Sequence, residues 1–351
     1  MNRHVSNLTR RLAGLVMCAS VPHIAAAQTD APPLPEFITP AANDAIQKGL
    51  AYLARTQGRD GAWRNRGQFG RYPVAMSSLA GLALLMNGNT TTQGPYAPNV
   101  DRATRFLVGA ALPNGLIARG DDESRTMYGH GFSMLFLGQL LGMTEDAQRQ
   151  QEISEVLARA VTLTGQAQSR IGGWIYTPDG ATDEGSVTIT QVQALRSCRT
   201  AGVAVPKKVI DDAMNYLKIS QNSDGGIRYR AQSPGPSRPP LTAAAVMCWF
   251  NAGEYDNPLA KKALANAKQN IQPALNMGGH YFYEHLYFAQ AMYLSGPDDW
   301  KSYFPRMRDN LLRLQNADGS WDDPMVGEVY GTSIALIILQ LPFDLVPIMQ
   351  R

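Results

Sequence analysis

One frame recurs along this chain: a glutamine, a glycine four residues on, and a large apolar residue six residues on. It stands at Gln57, Gly61 and Trp63, at Gln168, Gly172 and Trp174, at Gln221, Gly225 and Ile227, and at Gln315, Gly319 and Trp321. Before the first copy, Ile46, Leu50, Leu53 and Ala54 recur at three- and four-residue steps, which places them on one helical face. Gly58, Asp60 and Gly61 then suit a turn with positive φ. Four copies of one helix-ending device mark a repeat architecture.

From about Ala42 the chain alternates between two kinds of helix. The first pair is Asn43 to Arg55 and Val74 to Met86; the second is Val100 to Ala111 and Gly129 to Met143. The third is Ile153 to Thr164 and Val187 to Arg199; the fourth is Lys207 to Ile219 and Leu241 to Ala252. The fifth is Pro258 to Asn270 and Tyr283 to Leu294; the sixth is Trp300 to Leu314 and Gly331 to Leu341. The first member of each pair is amphipathic. The second is apolar nearly all round, as in AMSSLAGLALLM, so it must be buried on every side. Six pairs with outer and inner members suit a closed all-α ring, a six-hairpin α/α toroid, because each inner helix then has two neighbours. The turn of the second pair keeps Gly115 without the Gln or Trp, and that of the fifth is reduced to Met277-Gly278-Gly279. Residues 342–351 follow as a tail across one end. Within each turn the Gln amide is placed to satisfy orphan carbonyls at the end of its own helix, and the indole to cover the Gln stem and the next helix. The frame is therefore structural and carries no catalysis.

The run Lys48-Gly49-x-x-Tyr52-Leu53-x-x-x-Gln57-x-x-x-Gly61-x-Trp63 resembles a complete QW repeat of the squalene and hopene cyclases. Ala213, Tyr216, Leu217, Gln221 and Gly225 match most of it, with Ile227 in place of Trp; Gln315, Gly319 and Trp321 keep its end, with Asn310 in place of the aromatic. Similar repeats occur in the β-subunits of protein prenyltransferases, and complement thioester domains share the fold. The resemblance spans residues 43–341 and implies an α/α toroid with a central cavity. None of the chemistries it suggests is encoded. Cyclases of this kind use an Asp-x-Asp-Asp acid, but the chain offers Asp121-Asp122, Asp298-Asp299 and Asp322-Asp323 alone, and its length suits one such domain, not two. The Asp, Cys and His zinc set of prenyltransferases and the Cys-Gly-Glu-Gln of thioester domains are both missing.

The N-terminus reads as an export signal. Arg3, Arg10 and Arg11 precede the apolar Leu12 to Val21, and Ala25-Ala26-Ala27 supplies a cleavage site, so residues 1–27 are expected to be removed. Arg10-Arg11 lacks the Phe-Leu-Lys of a twin-arginine signal, and Leu15-Val16-Met17-Cys18 departs from a lipobox at the bulky Met17. The mature protein is thus expected in the periplasm or outside the cell. Residues 28–42 form a lead-in with Pro32, Pro33, Pro35 and Pro40. The two remaining cysteines, Cys198 and Cys248, lie in apolar stretches that suit buried thiols, with a disulfide open in an oxidising compartment. A net charge of +3 without a Lys/Arg run argues against nucleic acid, and no apolar run reaches the length of a membrane span.

The mature chain has three histidines, His130, His280 and His285, each near the start of an inner helix. In a toroid those starts converge on one rim, together with Tyr128, Asp183, Glu184, Tyr281, Glu284, Glu328 and Tyr330. The candidate catalytic set is His280, Glu284, His130 and Glu328, with His280 and Glu284 one helical turn apart. The candidate ligand contacts are Tyr128, His285, Tyr281, Tyr330, Asp183 and Glu184. Neither a metal nor another cofactor is expected, since His-Tyr-Phe-Tyr-Glu-His is one residue too long for an H-x-x-E-H zinc motif. Capping alone would also draw acids to these positions. Asp121-Asp122-Glu123 and Asp179-Asp183-Glu184 read as solvated loop acids, with calcium as an alternative. The loop SPGPSRPP at Ser233 to Pro240 is stiff enough to narrow one end, and Arg238 within it could meet an anion. Tyr281, Phe282, Tyr283, Tyr287, Phe288 and Tyr293 read as core and cavity wall. The expectation is an exported, cofactor-free toroid that holds an apolar, isoprenoid or glycan ligand, or a protein partner, in its cavity. The alternative is an enzyme acting on isoprenoids through His280 and Glu284, or on carbohydrates through Glu284, Glu328 and Tyr330.

Overall fold

A computed structural model of the chain describes residues 33–120, 123–273 and 280–350. The leader, Asp121-Asp122 and the Met277-Gly278-Gly279 turn lie outside the described residues. Among the described residues, twelve α-helices alternate between an outer and an inner ring. The outer helices are α1 (Pro40–Thr56), α3 (Ala97–Gly109), α5 (Ala147–Gln166), α7 (Lys207–Ser220), α9 (Pro258–Asn270) and α11 (Pro297–Leu314). The inner ones are α2 (Pro73–Leu85), α4 (Thr126–Leu141), α6 (Gly185–Thr200), α8 (Pro239–Asn251), α10 (Tyr281–Ser295) and α12 (Glu328–Gln340). Three begin two or three residues ahead of the expected apolar stripe, because a proline with its pre-set φ opens them, at Pro40, Pro239 and Pro297; prolines also open α2 at Pro73 and α9 at Pro258. Of the residues expected on the rim, Tyr128, Tyr281, Glu284, Glu328 and Tyr330 lie in the first turns of α4, α10 and α12, whereas Asp183, Glu184 and His280 lie just ahead of α6 and α10.

Every residue of α2 is buried, whereas α7 buries one stripe through Val209, Ala213, Tyr216 and Leu217. That contrast sorts the helices into rings. Each inner helix packs on the next, α2 on α4 through to α10 on α12, and α12 returns to α2. Small residues permit close approach: a Cβ on Gly138 of α4 would stand 2.5 Å from the Ser197 hydroxyl of α6.

The turns hold the outer ring together, by a geometry that differs from the expected one. Each Gln amide donates to the carbonyl of its own Gly and to a carbonyl of the next outer helix, not to the end of its own helix. The second acceptors are Asn99 for Gln57, Val209 for Gln168, Leu259 for Gln221 and Ala45 for Gln315, all at 2.9 Å. The glycines adopt φ near +90°, and a Cβ on Gly61 would lie 2.3 Å from the Arg102 carbonyl oxygen. The indoles turn back: Trp63, Trp174 and Trp321 donate from Nε1 to Leu53, Thr164 and Leu311 of their own outer helix. Their backbone N–H groups donate to Ser77, Thr188 and Thr332 hydroxyls on the inner helix. The sixth turn fastens to α1, so the last hairpin closes the ring on the first.

The axis is not an open chamber between all six inner helices. Helices α6 and α10, with α8 between them in sequence, touch inside the ring: the buried Gln193 donates to Gln290 at 2.8 Å, and the Thr190 and Tyr287 hydroxyls lie 3.5 Å apart. The tail after α12 makes two short 3-10 turns, Leu341–Phe343 and Pro347–Met349, and buries Val346, Ile348 and Met349. Its Ile348 N–H donates to Gln139 near the C-terminal end of α4, so the tail covers the end opposite the helix starts. Cys198 and Cys248 are buried and free, without a disulfide.

Candidate functional site at the mouth of the ring

The first turns of α4, α6, α10 and α12 surround a mouth made chiefly of tyrosines. The half-buried Tyr128 of α4 bonds the Ser186 hydroxyl of α6, and its ring centroid lies 6.0 Å from that of Tyr176. The Tyr176 and Tyr229 hydroxyls bond each other, and the Arg125 guanidinium sits 4.5 Å over the Tyr176 ring. From α10, Tyr283 donates to the Ser186 carbonyl at 3.4 Å and packs edge-on against Tyr287, ring centroids 5.0 Å apart. Tyr330 of α12 adds its phenol beside Tyr283 and Tyr287. Burial holds the Tyr128, Tyr283 and Tyr330 phenols well above the usual range, so each stays a neutral hydrogen-bonding group.

The acids serve the scaffold first. Glu184 is fully buried and caps α6, accepting from the backbone N–H groups of Ser186 and Val187 and from the Ser186 hydroxyl. Burial raises its carboxyl, against the opposing pull of those bonds. Asp183 is buried and accepts from the Ala231 N–H, and Asp179 from the Ala181 N–H and the Thr177 hydroxyl. Burial removes Asp183 and Glu184 from the solvated loop acids, whereas Asp179 stays exposed as expected. Among the described residues no group of three His, Cys, Asp or Glu side chains is arranged to hold a metal ion.

The three histidines do not gather at the rim. His130 is fully buried: its Nδ1 accepts from the Ile117 N–H at 3.2 Å and its Nε2 lies 3.0 Å from the Thr164 hydroxyl. Since Nδ1 accepts, Nε2 carries the proton and donates. Ile117 stands where the other turns have Trp63 or Trp174, so His130 supplies the acceptor that Ser77 or Thr188 supplies there. Burial pushes its imidazole down to about 4. His285 is also fully buried, with Nδ1 2.9 Å from the Tyr303 hydroxyl and its ring 4.6 Å from that of Tyr281. Burial lowers it to about 3, with a smaller opposing effect from the Gln272 backbone. Tyr281 points the same way, accepting from Asn310 of α11. These three residues are packing between rings.

His280 is exposed at the N-terminus of α10. Glu284 is half-buried, and its charge is felt at Tyr281 and Tyr303. Loss of solvent raises its carboxyl to about 7. Glu328 is exposed on the first turn of α12 and acts on Tyr52 of α1.

Tyr283 and Tyr287 are expected from the sequence as core and cavity wall; Ser186, Tyr176 and Tyr229 are mouth residues not singled out from the sequence. A signal for two of them exists. Tyr176 and Tyr229 each stand four residues after the turn glycine, Gly172 and Gly225, and Asp323 stands four after Gly319. The same frame that fastens the outer ring aims one side chain per turn toward the inner helix starts.

No protein-family model matches the chain. Over 205 residues it is 26% identical to the drimenyl diphosphate synthase of Streptomyces showdoensis, a stretch that is 57% of this chain and 36% of that enzyme. The match therefore spans about a third of the length of that relative. Among solved structures, a variant of the type II terpene cyclase MstE from Scytonema, in complex with geranylgeranyl dihydroxybenzoate, superposes with a TM-score of 0.58 at 14% identity, over 87% of this chain and 98% of that one. An inactive variant of the α-1,6-mannanase GH76A of Salegentibacter sp. HEL1_6, in complex with α-1,6-mannotriose, superposes with a TM-score of 0.62 at 11% identity, over 87% and 99%. Both likenesses are of fold: the chain is an all-helical α/α toroid of the kind found in terpene cyclases and in this mannanase.

Proposed function

We propose that this protein is exported and binds a polyhydroxylated, glycan-type ligand at the tyrosine-lined mouth, without cyclase chemistry. The observation that carries the reading is the filled axis. Direct bonding of Gln193 to Gln290, and the approach of Thr190 to Tyr287, leave little room there for a folded isoprenoid chain. At the mouth, by contrast, aromatic faces and neutral phenols stand together with Arg125 and Ser186. Sugars present apolar C–H faces and many hydroxyls, and such a surface answers both. Glycan binding by the mannanase neighbour and isoprenoid binding by MstE supply the probes. Titration calorimetry with α-1,6-mannotriose and with geranylgeranyl diphosphate should give saturable binding for the sugar alone, weakened about tenfold by Tyr283→Phe or Tyr330→Phe, each the loss of one hydrogen-bonding hydroxyl. Saturable binding of the isoprenoid, with none of the sugar, overturns the reading.

A second reading rests on Glu284. A half-buried carboxyl that titrates near neutrality can serve as a general acid. If it does, Glu284→Gln abolishes turnover of a mannan substrate; intact turnover in that variant removes Glu284 from any mechanism.

A further inference from the structure

A cavity of about 390 Å³ opens on the outside of the ring between the first and second hairpins, apart from the tyrosine mouth. Asp60 and Arg64 line it from the first turn, Pro73 from the start of α2, Arg105 and Phe106 from α3, and Arg119 from the second turn. Three arginines against one aspartate in so small a space call for an explanation.

Two of them are fixed by acids. Asp60 grips Arg64 with both oxygens, at 3.1 and 2.6 Å, and that guanidinium holds the Asp60 carboxyl below its usual range. Arg105 reaches Asp101, 2.7 Å away on its own helix, and Asp101 is shared with Arg149. Arg119 is held differently. Its guanidinium lies over the Phe106 ring, 5.4 Å from the centroid, and it forms none of the ion pairs among the described residues. Its backbone N–H donates to the buried Glu123 carboxylate, which also accepts from Val74 at the start of α2. An aromatic face fixes the plane of a guanidinium without using its N–H donors. Arg119 also stands four residues after Gly115, the frame position that faces the mouth in other turns.

We propose that this cavity is an anion site that takes the phosphoryl group of a small soluble phosphate ester, with Arg119 as its principal donor and Arg105 and Arg64 beside it. Planar guanidinium groups recognise tetrahedral oxyanions through paired hydrogen bonds, and the volume lies within the range of small-ligand sites. Asp60 works against the anion, and its engagement with Arg64 limits that repulsion. The ligand would differ from the one proposed for the mouth.

The test is calorimetric titration of the full chain with inorganic phosphate and glucose 6-phosphate at constant ionic strength, with chloride as control. Saturable binding is expected, about tenfold weaker in Arg119→Gln and intermediate in Arg119→Lys, which keeps the charge and loses the paired donors. Arg105→Gln, on another element, provides an independent variant should Arg119→Gln fold poorly; it should weaken phosphate without altering mannotriose binding at the mouth. Equal affinity in wild type and both glutamine variants, or no saturation above the chloride control, overturns the proposal. So does sedimentation with phosphatidic acid vesicles without binding of either soluble phosphate, which would give the arginines to a lipid surface.

Discussion

The first and second turns of this ring solve one problem with different parts. Both place a glycine where a Cβ would strike the next outer helix, at 2.3 Å from the Arg102 carbonyl oxygen for Gly61 and 2.3 Å from that of Arg159 for Gly115. The first adds Gln57, whose amide spans to Asn99 and whose oxygen accepts from Asn99 and Arg102, and Trp63, which ties back to Leu53. The second has Ala111 and Ile117 in those places, and brings in His130 to receive the Ile117 N–H and reach Thr164 on the next outer helix. Backbone proximity set by glycine is common to both. The side chains that bridge the gap are interchangeable, so long as each buried N–H finds an acceptor.

That comparison can be broken at several points. The largest effect should come from the shared part. Gly61→Ala and Gly115→Ala should each cost about 5 kcal/mol in urea unfolding, from a strained φ plus a backbone clash. A Gly115→Ala variant within 1 kcal/mol of wild type would show, on the scale of ordinary surface substitutions, that the second turn does not depend on close approach. Next, Trp63→Ala should cost about 4 kcal/mol, through its cavity and a stranded Leu53 carbonyl, against about 1 kcal/mol for Ile117→Val.

The third prediction concerns pH. The His130 imidazole is lowered from 6.5 to about 4, so the unfolded chain binds a proton more readily than the folded one. Its contribution is therefore complete above pH 6.5 and is lost as pH falls toward 4, by about 3 kcal/mol over that window. His130→Gln should flatten the pH dependence of urea unfolding by that amount; His285 continues to contribute in the same direction. An unchanged slope would deny His130 its place in the second turn. Gln57→Leu should cost about 2 kcal/mol, since it strands Arg102 and the Asn99 amide, with no matching effect of Ala111→Leu. The smallest effect is at Glu284, whose carboxyl is raised to about 7: the proton it retains when folded makes the native state less stable as pH rises from its ordinary 4.5 through 7. Glu284→Gln should be more stable than wild type at pH 8, by under about 1 kcal/mol given its partial contact with water, and the difference should vanish below pH 4.5.

The ring was readable from sequence because its two helix types differ in composition: AMSSLAGLALLM has no face to offer water, whereas KKVIDDAMNYLKIS has one. The turns were readable because Gln, Gly and Trp recur at fixed spacing. The site was less so. His130 sits at the start of an inner helix, which suggests a rim, yet its ring turns outward to a buried N–H thirteen residues earlier, at Ile117. The filled axis was hidden because its bonds join residues 97 apart, Gln193 to Gln290, and no local pattern marks such a pair. Tyr176 and Tyr229, by contrast, were within reach of the repeat register once it was extended past the tryptophan.

The bond from Gln315 to the Ala45 carbonyl joins residues 270 apart in the chain. Until the sixth hairpin has formed, the growing polypeptide is an arc with two raw edges, and the faces of α2 and α10 that α12 covers lie open to water or to other chains. Closure is among the longest-range events in folding and must wait until the sixth hairpin has been synthesised. A circular permutant opened between α6 and α7 would move that late step to the third turn, where Gln168 and Trp174 are both present, and would leave the ring itself unchanged.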